Sequence, residues 1–558
     1  MKMKNYESYL GDFQLLMAKY GLPAEDVARA MEGVRQFQVT VPLVGRFSTG
    51  KSSLVNTLLG RKILAENTMP ETSIPTEITY GEEDAAVLVK KDLDAGKVTE
   101  TRPVSMDEVL HGNFSVSEWS ALRLTLHDDF LKTVPAVRLV DMPGFGTSIE
   151  LHNKAINEYL PESKAYILTF ESRSSTVEED TLEFLKELKF HEMPVYVLVT
   201  KSNAVSGEEL KQCVENLKQQ LAQNVGLKNV PIYCANAKGK QVDVEGFKTV
   251  LEDLQRQSTS LREKEEVQDI LRFGGQLKTY LVTAITKNSY SASDLEAEKE
   301  KQQRNLESLK KNLEKEKSDF QQQIPGCIDS IASDVRIALE DFADEFANLA
   351  MDGRQETIKS RINAIIRTKV GEGIKNSFAP RARHYLDRVA ATICVEAPDL
   401  NPNMEDGSDP AGILTKAGVS EQLIEKGLLT LLSKIGLKIP NPMVKILAAV
   451  ILLVVNIFSK KSQVAEIKQK VMRHFRTETV PQLADQVMGI VKNLIEEQVD
   501  QVNAAIDKGM EIQLASAQKA LDDLVKRASD EKAEKEEYLA HLQEDLEAVN
   551  GVLSEVGA

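Results

Sequence analysis

The run Gly45-Arg46-Phe47-Ser48-Thr49-Gly50-Lys51-Ser52 limits this chain's folds most, because it matches G-x-x-x-x-G-K-[ST] and its flanks supply the setting that pattern requires. Before it, from Phe37 to Val44, apolar Phe37, Val39, Val41 and Leu43 recur at period two, as in a strand. After it an apolar helical pattern begins. Glycines permit close backbone approach to phosphate, while successive N–H groups and the helix N-terminus favour negative charge. Lys51 adds a positive charge, expected to face solvent, and Ser52 a hydroxyl for magnesium. Gly45, Ser48, Gly50, Lys51, Ser52 and Ser53 are therefore the phosphate-side candidates.

Further strands are expected at Val137 to Val140, Ala165 to Phe170, Val195 to Thr200 and Ile232 to Cys234, alternating with helical stretches up to about residue 255. This predicts an α/β head with a mainly parallel sheet. Beyond residue 255 the composition shifts to Glu, Lys, Gln and Leu, which predicts a long all-helical stalk or bundle. Apolar residues fall at heptad-like intervals at Leu306, Leu309, Leu313 and Phe320, and again at Leu539, Leu542, Leu546, Val549 and Leu553. These stripes read as bundle seams, with an intermolecular coiled coil as the alternative.

A Pro, Asp, Asn and Gly cluster between Glu396 and Asp409 breaks the helical pattern, and an apolar region follows. Its centre, Ile446 to Phe458, is shorter than the roughly 20 residues of a membrane span and is interrupted by Asn456. Lys445, Lys460 and Lys461 flank it. The segment reads as an apolar hairpin with basic edges, either a tip that dips into a membrane interface or a buried core helix. The expected division is 1–36 N-terminal helices packing with the bundle, 37–255 head, 256–400 helical neck and stalk, 401–465 apolar tip, and 466–558 returning helices.

Among the 558 residues, 85 acidic against 69 basic side chains leave a net charge of −16, which argues against a nucleic-acid partner held by net charge. Cys213, Cys234, Cys327 and Cys394 have no paired spacing, so neither a zinc site nor a disulfide framework is expected. With no signal-peptide pattern at the start, the expectation is a cytoplasmic protein, peripherally membrane-associated through the tip.

Asp141-Met142-Pro143-Gly144 follows a strand as a D-x-x-G element does: Asp141 would support magnesium and the Gly144 N–H would reach a terminal phosphate. Taken alone it is also an ordinary turn. In this order and spacing the chain resembles the dynamin superfamily of large GTPases, particularly bacterial dynamin-like proteins, across both halves. The resemblance implies GTP and GDP as ligands with Mg2+, and a switch threonine holding metal and attacking water. Thr72 takes that place in Pro70-Glu71-Thr72-Ser73-Ile74-Pro75-Thr76, with Thr76 second. It also implies self-assembly through heads and stalk, membrane lipid bound by the tip, and a related dynamin-like partner protein.

Two departures from the family stand out. Phe47 occupies the place of a water-orienting glutamine, as it often does in bacterial relatives, leaving Ser48 and backbone groups to contribute. The guanine-reading [NT]-K-x-D element appears as Thr200-Lys201-Ser202-Asn203, whose last residue offers one acceptor and one donor where Asp offers two acceptors. Ala235-Asn236-Ala237-Lys238 resembles the family's last base-contacting loop, placing Asn236 and Lys238 beside the base. The alternative function is a nucleotide-controlled scaffold with weak or absent hydrolysis, whose apolar segment is buried or binds a protein.

Overall fold

Two helices, α1 (Tyr6–Lys19) and α2 (Glu25–Arg35), precede β1 (Val39–Gly45), every residue of which is buried. Burial on both faces follows from its position. Val39, Val41 and Leu43 point into one core layer and Val44 into the other, and β1 pairs in parallel on both sides. The computed structural model describes residues 6–65, 74–92, 97–111, 114, 118–144, 159, 162–174, 176–190, 193–239, 242–396, 464–528 and 532–557. The apolar centre 446–458 and Thr72 lie outside these residues.

After β1 come α3 (Lys51–Leu58), β2 (Thr76–Tyr80), β3 (Ala85–Asp92), β4 (Lys97–Val104), α4 (Met106–His111), β5 (Ala121–Leu126) and α5 (Asp129–Thr133). The head continues through β6 (Val137–Asp141), β7 (Tyr166–Glu171), α6 (Glu179–Phe190), β8 (Val195–Thr200), α7 (Gly207–Gln220) and β9 (Ile232–Cys234). Among the described residues these strands form one nine-stranded sheet in the order β4-β3-β5-β2-β6-β1-β7-β8-β9. From β6 to β9 every pairing is parallel. The other half differs: β2 runs antiparallel to β6, and β3 antiparallel to both β4 and β5, while β2 and β5 are parallel. The sheet is thus mainly parallel, as expected, with an antiparallel wing that the alternation of strands and helices did not suggest.

The rest of the described chain is helical: α8 (Glu245–Lys287), α9 (Ala292–Gln321), α10 (Ile324–Asp341), α11 (Ala343–Met351), α12 (Gln355–Gly373), α13 (Ala379–Glu396), α14 (Val464–His474), α15 (Val480–Lys526) and α16 (Lys532–Gly557). The 43-residue α8 belongs to two cores, since Phe247, Val250, Leu251 and Leu254 pack into the head. Farther along, Ile270, Phe273, Leu277 and Tyr280 pack with α1, α2 and α16. At about 1.5 Å per residue the helix is about 65 Å long, and about 24 Å of it separates Leu254 from Ile270. Capping boxes at Ser206 with Glu209 and at Ser291 with Asp294 satisfy the first amides of α7 and α9.

The stalk core joins α9 through α15, with Phe320 stacked on Tyr385 at 4.7 Å and Phe346 on Phe475 at 4.0 Å between ring centroids. Leu309, Leu313 and Phe320 face this core, whereas Leu542 and Val549 face α1 and α8. Both heptad stripes are therefore covered within the chain. Helix α12 of the stalk also lies against α6 of the head.

Candidate functional site

The first turn of the site is shaped by a backbone that admits no side chain. A Cβ on Gly45 would lie 1.9 Å from Thr169 Oγ1 and 2.8 Å from the Thr169 carbonyl oxygen on the neighbouring strand β7. The loop then turns through left-handed conformations at Ser48 (φ 66°) and Gly50 (φ 89°) before α3 begins at Lys51. A chain of buried hydroxyls braces it. Thr49 Oγ1 donates to the Arg46 carbonyl at 2.9 Å and lies 2.8 Å from Thr169 Oγ1, while Thr200 Oγ1 donates to the Thr49 carbonyl at 2.7 Å.

Lys51 is buried, with 7% of its surface exposed, which corrects the expectation that its charge faces solvent. Its Nζ donates to the Gly45 carbonyl at 3.0 Å and the Arg46 carbonyl at 3.2 Å, so the loop folds its own oxygens over the ammonium. Burial pushes the Lys51 pKa down to about 8, against the opposing pull of Asp141. Ser52 Oγ donates to Asp141 Oδ2 at 2.6 Å, whereas the buried Asp141 Oδ1 has no hydrogen-bond partner. Desolvation raises the Asp141 pKa, opposed by Lys51 and the Ser52 hydrogen bond.

The D-x-x-G element packs directly on this loop: a Cβ on Gly144 would sit 2.6 Å from the Phe47 Cα. Phe47 itself is 43% exposed. The antiparallel register of β2 with β6 sets Thr76 opposite Asp141, bringing the second switch candidate to the end of the site that holds Ser52 and Asp141. Thr76 is buried.

At the other end, Lys201 adopts a left-handed conformation (φ 53°) and its Nζ pairs with Glu171 at 3.1 Å. Asn203 Nδ2 donates to the Lys238 carbonyl at 2.6 Å. The Lys238 N–H donates to Asn236 Oδ1 at 3.1 Å, and the Asn236 backbone is paired in both directions with Asp243. The loop after β9 thus closes on the T-K-S-N turn after β8.

These groups share one cavity of about 600 Å³, whose lining includes Ser48, Ser53, Gly144, Thr200, Asn203 and Lys238. The candidate residues that lie within the described chain, from the phosphate loop to Lys238, converge in and around this cavity. Sequence reading missed its apolar wall of Leu64, Ile74, Val109, Phe114 and Leu122, and the bracing Thr169. Period-two apolar residues in β5 were the available signal for Leu122; Val109 and Phe114 have no local pattern that announces them.

Comparison with known proteins adds an independent line. The model of the dynamin family matches residues 41–202. An uncharacterised protein in the xynA 3′ region of Caldicellulosiruptor sp. (strain Rt8B.4) is 26% identical over 175 residues, covering 31% of this chain and 42% of that one. Dynamin-like protein 1 of Campylobacter jejuni is 22% identical over 230 residues, covering 35% of this chain and 31% of that one. The matched stretches span less than half of these relatives' lengths. A solved structure of an oligomerised bacterial dynamin pair, described as sensing and tethering membranes, aligns over 99% of this chain and 82% of its own, with 17% identity and a TM-score of 0.41.

Proposed function

We propose, from the match of residues 41–202 to the model of the dynamin family, that this chain is a dynamin-like GTPase that couples nucleotide state to self-assembly and membrane association. The observation that carries the proposal is the Asp141 carboxylate. One oxygen is held by Ser52 and the other is buried without a partner, beside a desolvated Lys51 at the mouth of a helix. An orphaned carboxylate oxygen next to a serine hydroxyl suits a hard divalent cation, so these residues fit Mg2+. Ser52 would hold the ion directly, Thr72 would join it, and Asp141 would support it; when bound, the ion supplies charge neutralisation on the phosphates.

The chain's own groups do the rest. Gly45 to Ser53 cradle the phosphates through backbone N–H groups, and Lys51 exchanges the Gly45 and Arg46 carbonyls for phosphate oxygens. Gly144 offers its N–H to the terminal phosphate. Thr200, Lys201, Asn203, Asn236 and Lys238 frame the base. Phe47 has no polar atom with which to orient water, so that work falls to Ser48, Thr72 and backbone groups, and turnover is slow in the isolated head.

Exposed Phe47 sits beside the cavity, where a second head would cover it, which supports assembly through paired heads. Membrane association rests on the apolar segment Ile446 to Phe458 with its flanking lysines. A related dynamin-like protein is the natural hetero-partner. The second reading, a nucleotide-controlled scaffold with little hydrolysis, is favoured by the same Phe47. Magnesium-dependent GTP turnover by the full chain separates the two: measurable release of phosphate that is lost in Lys51→Ala supports the enzyme, and tight binding with no release supports the scaffold.

A further inference from the structure

The base-reading end of the cavity has the hydrogen-bonding pattern of something other than a guanine reader. Guanine turns two adjacent donors, N1–H and its 2-amino group, towards the residue at position 203, and a carboxylate accepts both. Asn203 has one acceptor oxygen and one donor nitrogen. Its orientation is fixed locally, because Nδ2 donates to the Lys238 carbonyl at 2.6 Å and the reversed amide would set two acceptor oxygens against each other. That carbonyl is itself held, by the Lys238 N–H on Asn236 and the Asn236 pairing with Asp243. Gly239 (φ 116°) closes the arrangement: a Cβ there would lie 2.5 Å from Asn203 Nδ2. One Nδ2 hydrogen goes to Lys238, and the other, with Oδ1, remains to meet a base.

We propose that this site prefers a 2-oxopurine nucleoside triphosphate, such as xanthosine triphosphate, over GTP, and that Asn203 sets the preference. The inference rests on the reading of the cavity as a nucleoside triphosphate site. A 2-oxopurine presents N1–H to Oδ1 and its 2-oxo group to Nδ2, satisfying both. Guanine in the same place sets its amino group against the Nδ2 hydrogen, donor to donor; Asn203 is exposed, and a base stacked over that edge would exclude the water that otherwise satisfies both donors. Hypoxanthine keeps the N1–H contact and has only a C–H at position 2, so it ranks between. Adenine turns an acceptor, N1, towards Oδ1 and ranks last.

The test is calorimetric titration of the full chain with magnesium and non-hydrolysable analogues of the four triphosphates. The wild type should bind the xanthine nucleotide about tenfold more tightly than the guanine nucleotide, with inosine between. Asn203→Asp should reverse that order by restoring two acceptors once its carboxylate has turned away from the Lys238 carbonyl, to which it can no longer donate, and Asn203→Ala, which presents no edge, should level the three without depending on the fold of the Asp variant. Guanine preferred in the wild type, or an order unchanged in both variants, overturns the inference while leaving the nucleotide site in place. No binding of any triphosphate by a folded wild-type chain overturns the nucleotide reading itself, and the preference with it.

Discussion

Because Lys51 is buried within the phosphate loop, nucleotide binding should carry a proton signature. Its pKa of about 8 against an ordinary 10.5 means the desolvated ammonium disfavours the free loop by about 3 kcal/mol at neutral pH. A lysine whose pKa is lowered by folding penalises the folded state fully below the folded value. The penalty fades as pH rises from about 8 towards 10.5, so the free head gains stability across that window. Phosphate oxygens favour the charged form and return the group to its ordinary range. Binding then takes up about 0.1 proton at pH 7 but about 0.75 at pH 8.5, since about three quarters of the free loop is neutral there. Isothermal titration with a non-hydrolysable GTP analogue, in buffers of different ionisation enthalpy, reads this uptake directly. Lys51→Arg cannot deprotonate and should show no such rise. Equal uptake at the two pH values, or a rise retained in the arginine variant, would refute the reasoning.

Gly45→Ala should destabilise the head by about 1 to 3 kcal/mol through overpacking and abolish nucleotide binding. Adding Thr169→Ala should restore only part of the stability, because the Thr169 carbonyl oxygen still lies 2.8 Å from the new Cβ; urea midpoints followed by Trp119 fluorescence measure both. Thr72→Ala should retain nucleotide affinity but lose turnover, checked by single-turnover phosphate release; unchanged release would move the role to Thr76. Glu77, 2% exposed, accepts from Arg123 at 2.8 Å and from Tyr159 at 2.6 Å. Burial alone would raise its pKa, but Lys91, Arg123 and Tyr159 outweigh that and hold it low. Its stabilisation is thus present above about pH 4.5 and lost as pH falls through the depressed folded value. Glu77→Gln should lower the head's stability at pH 7 by about 3 kcal/mol and flatten its acid dependence, as read by urea midpoints against pH.

What the sequence made legible and what it hid follow from the range of the interactions. The phosphate loop and the strands β1, β7 and β8 announced themselves because their signals are local: a fixed spacing of Gly, Lys and Ser, and apolar runs buried on both faces. The β3 and β4 hairpin did not, since it lies at the sheet edge and carries Lys90, Glu100 and Arg102 to solvent. The brace from Thr49 to Thr169 and Thr200 joins residues 120 and 151 positions apart, beyond any periodicity. Likewise α1 reads as a helix from its own pattern, but its partner does not: Lys19 pairs with Asp545 at 2.6 Å near the far end of the chain. The placement of Lys51 was misjudged because a lysine in a glycine-rich loop suggests exposure, whereas the loop's own carbonyls enclose it. Asn203 was visible as a departure from the family, but the Lys238 carbonyl that orients its amide appears only once the two loops meet.

Coupling of the nucleotide site to a membrane-binding tip is tested by liposome flotation of the full chain, with and without a non-hydrolysable triphosphate, on vesicles containing anionic lipid. Burial of apolar side chains contributes about 0.8 kcal/mol per methylene, and Lys445, Lys460 and Lys461 add attraction that weakens with salt. The wild type should float in a nucleotide-dependent manner. Lys51→Ala should lose that dependence, and Leu452→Asp with Val455→Asp should lose flotation while keeping helicity and nucleotide affinity. Flotation indifferent to nucleotide, or a tip variant that precipitates or unfolds because the segment is core, would contradict the coupling of head to membrane.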